Sequence, residues 1–203
     1  MKKTEKKKKE IEKTKKDIET FYTSDRKKWR RWLSKNFEKK KEIWFVFPLK
    51  KSGEEILPYN DAVEEALCFG WIDSTIKYID PLHRAQRFTP RRIGSSYSRL
   101  NIERLIWLDE QDMIHPKIRE SVVDIMKKEY KFPKDILDEI KADEEAWKHY
   151  QNFSDSYKRI RISYIDAARK YPDKFNKRLA SFINKTKKGK ILKGYGGTEK
   201  YYK

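Results

Sequence analysis

Apolar positions change their period along the first ninety residues. In SDRKKWRRWLSKNF (24–37), Trp29, Trp32, Leu33 and Phe37 recur three or four residues apart, which predicts one apolar stripe on a helix. Ser24 is suited to cap that helix and Asp25 to sit at its positive end. EIWFVFPLK (42–50) is an unbroken aromatic and β-branched run closed by Lys-Ser-Gly, the pattern of a buried strand followed by a turn. Pro58 then opens a helical stretch with Ala62, Val63, Ala66 and Leu67 inward and Gly70 as its stop. WIDSTIKYI (71–79) alternates, with Ile72, Ser74, Ile76 and Tyr78 on one face and Asp73, Thr75 and Lys77 on the other. After Asp80-Pro81-Leu82, HRAQRFT (83–89) is predicted to be the return strand of a hairpin.

From Ser98 onward the period is helical. Leu100, Ile102, Leu105, Ile106 and Leu108 form one stripe, and Ile118, Val122, Ile125 and Met126 form another behind Pro116. Pro133, Asp143, Ser154 and Pro172 each mark the start of a further short helix. The fold class is therefore α+β: a small antiparallel sheet packed with helices, followed by an all-helical C-terminal module. The expected division is a basic solvated tail (1–19), an α+β domain (20–130), a helical module (131–190) and a Gly/Tyr-rich tail (191–203), the last mobile or capping a ligand.

Composition narrows the classes. At 203 residues with 14% aromatics, the chain can bury a core despite 40% charged residues. One cysteine excludes an internal disulfide and suits a reducing compartment, and no stretch has the length and apolarity of an export signal's core or a membrane span. The expected location is the cytoplasm. A net charge of +18 invites nucleic acid, but the lysine is spread along the chain as on a solvated surface.

Arginine is not spread. Lysine outnumbers arginine 36 to 14, yet window 84–104 holds Arg84, Arg87, Arg91, Arg92, Arg99 and Arg104 and no lysine. A guanidinium offers a planar fork that grips carboxylate or phosphate bidentately, so the choice implies geometry and not charge alone. The blocks EIWFVFPLKK, AVEEALCFGWIDS and QRFTPRR…SSYSRLNIERL lie around this window. Together with PKDILDEIKADEEAWKHYQNFSDSYKRIRISYIDAAR downstream, they resemble the bacteriocin-protection family, also called YdeI/OmpD-associated, over roughly residues 25–185. Tyr97 stands where that pattern has tryptophan, and Ile93 where it has proline. The resemblance implies a role in bacteriocin protection or stress tolerance and names no reaction.

Taken as two arms of a hairpin and the loop leaving it, these blocks predict a pocket bordered by Trp71, Asp73, Lys77, Arg87, Arg91, Ser96 and Tyr97. Arg87 and Arg91 would clamp a small anionic or phosphate-bearing ligand, with Asp73 orienting one of them and Lys77 adding a point charge. Ser96 would donate to the ligand, while Trp71 and Tyr97 would stack on it. The competing scaffold arrangement pairs Asp73 and Asp80 with Arg87 and Arg84, which accounts for two forks and leaves the rest. Single-stranded RNA or DNA is the alternative partner, tracked by arginines with Trp71, Tyr78, Phe88, Tyr97 and Trp107 interleaved. Asp73 near Lys77 could also serve an enzyme, but no residue pattern identifies a bond to be broken. Cys68 falls in an Ala-Leu-Cys-Phe run at a helix C-terminus and is expected in the core. His83, His115 and His149 lack metal-ligand spacing, so neither metal nor cofactor is expected.

Overall fold

The computed structural model describes residues 18–194 and 197–203. The basic tail assigned to 1–19 therefore lies outside the described residues except for its last two. Among the described residues the order is β1 (Thr20–Phe21), α1 (Arg26–Asn36), β2 (Ile43–Pro48), α2 (Tyr59–Cys68), β3 (Trp71–Tyr78), β4 (His83–Pro90), then α3 (Arg99–Asp109) and α4 (Pro116–Lys127). The helices α5 (Lys134–Lys141), α6 (Glu144–Gln151), α7 (Asp155–Asp166) and α8 (Pro172–Thr186) follow, with short 3-10 turns at Lys50–Ser52 and Thr198–Tyr201. The architecture is α+β, with sheet order β1-β2-β4-β3. The sheet is mixed and not purely antiparallel: β2, β4 and β3 pair antiparallel, but Thr20 and Phe21 add a parallel edge beside Trp44 and Phe45. A two-residue strand has too little pattern to be seen in sequence.

The chain divides into two compact units, Met1–Ser95 with Met113–Arg119, and Ser96–Asp112 with Glu120–Lys203. In the first, α1 begins at Asp25, whose side chain accepts from the backbone N–H of Lys27 and Lys28. Ser24, expected as the cap, instead donates to the Glu55 carboxylate at 2.9 Å. The apolar stripe of α1 meets one face of the sheet through rings: Trp29 stacks on Trp32 at 5.3 Å and meets Phe45 edge-on at 4.9 Å and Phe88 at 5.6 Å. Its buried indole N–H is satisfied by the Ala62 carbonyl at 3.0 Å, which ties α1 to α2. Two arginines a helical turn apart reinforce that tie. Arg26 bridges Asp61 at 3.2 Å, Glu64 at 3.0 Å and Glu65 at 2.6 Å, and Arg30 reaches Glu65 at 2.8 Å and the Met113 carbonyl at 2.6 Å. Glu64 and Glu65 are buried, so their charges are tolerated because these guanidinium groups face them.

In the second unit, α5–α8 enclose a core of Ile136, Ile140, Ala146, Tyr150, Tyr157, Ile162, Ile165, Leu179 and Phe182. Ser98, Asp143 and Ser154 cap their helices with side-chain oxygens, and Pro172 occupies the first turn of α8. The end of the chain, for which a mobile or ligand-capping role was expected, packs on this unit. Tyr201 is buried and edge-on to Trp107 at 5.9 Å, and the Ser156 hydroxyl donates to the Lys203 carbonyl and accepts from its N–H, both at 2.8 Å.

Candidate functional site

The β3–β4 hairpin decides which of the predicted side chains can meet. Its turn is closed by Asp80, which accepts from the Leu82 N–H at 2.8 Å and contacts His83 Nδ1 at 2.7 Å, while Glu54 reaches His83 Nε2 at 2.6 Å. Burial alone would lower the His83 pKa, but these two carboxylates outweigh it and raise it. Further along, Asp73 stands opposite Phe88 while Ile76 stands opposite Gln86, so three residue steps on β3 match two on β4. This bulge reverses the alternation. Asp73 joins Ile76 on one face, and Lys77, opposite Ala85, lies on the other. The expected common face of Asp73 and Lys77 is thus corrected: a strict period of two holds only in an unbulged strand.

The two faces carry different chemistry. Asp73 accepts from the Tyr59 hydroxyl at 2.6 Å and from Gln86 at 3.2 Å, and Gln86, itself buried, also donates to the Ser74 carbonyl at 2.8 Å. On the other face Arg87 stands opposite Trp44 and grips Glu42, with its Nε at 2.9 Å and its terminal nitrogen closer still. The second Glu42 oxygen accepts from the Trp44 indole at 3.2 Å, and the Lys77 ammonium lies 4.8 Å above that indole. The Arg87 guanidinium, with help from Trp44 and Lys77, holds the Glu42 carboxyl below its usual range. Arg87 therefore takes its acid from the head of the neighbouring strand β2 and not from Asp73. Glu42 lies outside the sequence expectation, which pairs Arg87 within the hairpin; the acid's place at the head of β2 is the one signal the sequence offers.

Trp71 has no exposed surface; its indole donates to the Phe37 carbonyl at 3.1 Å and its ring meets Trp32 edge-on at 5.8 Å. It has no face to offer a ligand, which corrects its expected stacking role. Ser96 and Tyr97 fall in the second unit, ahead of the Ser98 cap of α3, so the seven predicted residues are shared between two units.

The arginine window now resolves residue by residue. Arg84 lies 5.5 Å over the Phe47 ring, and Arg87 holds Glu42. Arg99 and Arg159 both grip the buried Glu103, and Arg104 donates to Asn101 at 2.8 Å and to the Tyr201 hydroxyl at 3.4 Å. With Arg91, whose guanidinium meets Ser95, five of the six forks engage the protein's own groups. Arg91 and Arg92 begin the loop after β4. The Arg91 N–H donates to the Gly70 carbonyl at 2.9 Å and its guanidinium to the Ser95 hydroxyl at 3.2 Å. The Ser95 N–H closes a turn on the Arg92 carbonyl at 3.1 Å, with Gly94 at φ +75° in its third position, where a type II turn favours glycine. The turn leaves Arg92 and Ser95 exposed and Ile93 wholly in solvent.

Cys68 is buried beside Arg30 and Glu65; desolvation, aided by Glu65, pushes its thiol up to about 12, so it is no thiolate nucleophile. Among the described residues no helix is long and apolar enough to cross a membrane.

Two family models match the chain. Over residues 129–189 the match is to the model described as bacteriocin-protection, YdeI or OmpD-associated. The likeness to that family is confined to this helical segment. The YdeI/OmpD-associated match covers α5–α8 and not the hairpin and arginine blocks that also suggested it. Those blocks lie within residues 21–121, which match a separate model described as a domain of unknown function, DUF8412. No curated protein and no solved structure matches.

Proposed function

We propose that this chain is a cytoplasmic binding protein, associated with bacteriocin protection or stress tolerance, whose first unit holds a phosphate-bearing anion at the loop 91–95. What carries the proposal is the way Arg91 is fixed, at its backbone by Gly70 and at its guanidinium by Ser95, beside the exposed Arg92. A cation with its rotamers already restricted loses less entropy on gripping a ligand than a free surface lysine does. Arg91 and Arg92 supply two forks and Ser95 a hydroxyl, and the positive φ of Gly94 keeps the turn tight. Asp73, Lys77 and Arg87 contribute to the hairpin's own hydrogen bonds and charge pairing, leaving the loop to meet the ligand. No residue in it is set up for proton transfer to a substrate, so binding is favoured over catalysis.

The test is thermal unfolding of the full chain against inorganic phosphate, pyrophosphate, nucleotides and small carboxylates. At a hundredfold its dissociation constant a ligand adds about 2.7 kcal/mol, a visible rise in midpoint. The double variant R91A/R92A is expected to lose that rise while keeping the unliganded midpoint. A rise that survives the double variant refutes the site.

A further inference from the structure

Helix α8 of the second unit carries cations on one side only. Lys174, Lys177, Arg178, Ser181 and Lys185 recur at i, i+3, i+4, i+7 and i+11, and Lys188 follows beyond the C-cap. All but the half-buried Arg178 are exposed. The opposite side of the helix, with Leu179 and Phe182 buried and Phe175 and Ile183 packed beside them, is turned into the core. Lys187 pairs with Asp143 at 2.9 Å, but among the described residues Lys177, Lys185 and Lys188 meet no carboxylate. From Lys174 to Lys185 the row runs about 17 Å at 1.5 Å per residue. Two aromatic rings border its beginning. Tyr164, 46% exposed, carries the Arg178 guanidinium 3.6 Å above its ring, and Tyr171, 63% exposed, carries the Lys174 ammonium at 5.1 Å.

We infer that this face of α8, with Tyr164 and Tyr171, is a docking surface for single-stranded nucleic acid. A row of ammonium groups matches a phosphodiester backbone, and exposed rings beside it can stack bases. An anionic membrane fits worse, because a helix lying in a bilayer surface must turn its apolar side outward, and here that side is spent on the core. The inference is independent of the loop 91–95.

The experiment is fluorescence anisotropy of the full chain with a labelled 20-nucleotide single strand over a salt series. Replacing Lys174, Lys177, Lys185 and Lys188 by glutamine is expected to weaken binding at least tenfold. Its plot of log K against log salt should become shallower by about 3, at about 0.7 for each phosphate no longer neutralised. A control with Lys27, Lys28, Lys50 and Lys51 changed to glutamine removes the same charge from exposed positions of the first unit and should bind as wild type. Tyr171→Ala should cost about tenfold with the salt slope unchanged, the signature of a missing stack. Equal losses in the two lysine variants would overturn the inference, since they mean diffuse attraction. Tighter binding to duplex, or binding only to vesicles of phosphatidylcholine and phosphatidylglycerol, would overturn it as well.

Discussion

Replacing Glu103 by alanine should unfold the second unit at far lower denaturant than any surface change. Its carboxylate, 3% exposed, accepts from Arg99 Nε and Arg159 Nε at 2.6 Å each and from a terminal nitrogen of Arg159 at 3.0 Å. The Arg99 side chain is 8% exposed and that of Arg159 25%, so neither guanidinium can be fully rehydrated once its partner is gone. Losing one partner of a buried ion pair costs about 3–5 kcal/mol, mostly for the charge left behind. With an m-value of about 2 kcal/mol/M, a loss of about 4 kcal/mol lowers the urea midpoint by about 2 M. Far-UV circular dichroism follows it, because the regular structure described in this unit is helical. Arg159→Ala should cost less, about 1.5–3 kcal/mol, since Glu103 keeps Arg99. Changing all three to Leu and Met of similar volume should restore much of the loss, because the desolvation cost of the charges goes with them. A Glu103→Ala midpoint within about 0.5 M of wild type would refute the claim that these arginines serve the scaffold.

Two further outcomes can be checked cheaply. Asp80 and Glu54 raise the His83 pKa in the folded protein, so the stability it contributes is complete below about pH 6.5, the unfolded value, and fades as pH rises through the folded one. Wild type minus His83→Gln, compared by denaturation midpoint from about pH 5.5 to 8.5, should therefore shrink with rising pH; a difference that grows would have the wrong sign. The buried Cys68 thiol should ignore a thiol reagent at about pH 8 in the native protein and react once per chain in guanidinium, and quick native labelling would contradict its burial.

The hairpin shows how far sequence carries. Strands 71–78 and 83–90 follow from alternation and the Asp-Pro-Leu turn, and the helix starts at Ser98, Asp143, Ser154 and Pro172 follow from cap chemistry. Trp29 and Cys68 were also legible as core. The bulge between Asp73 and Ile76 was not, because an extra residue leaves no mark in composition, and missing it moved Asp73 to the wrong face. Long-range ion pairing was equally hidden: Arg87 finds Glu42 45 residues away, and Arg159 finds Glu103 56 residues away. Residue type announced that the arginines needed geometry. Only the fold says that five of the six spend it on the protein itself.

The most direct test of the anion site is amide NMR of the labelled full chain during titration with inorganic pyrophosphate. Shifts that saturate together at Arg91, Arg92, Gly94 and Ser95, with Lys77 and Arg87 unmoved, are the predicted result. Saturating shifts that avoid this loop, or none up to millimolar pyrophosphate, would contradict it.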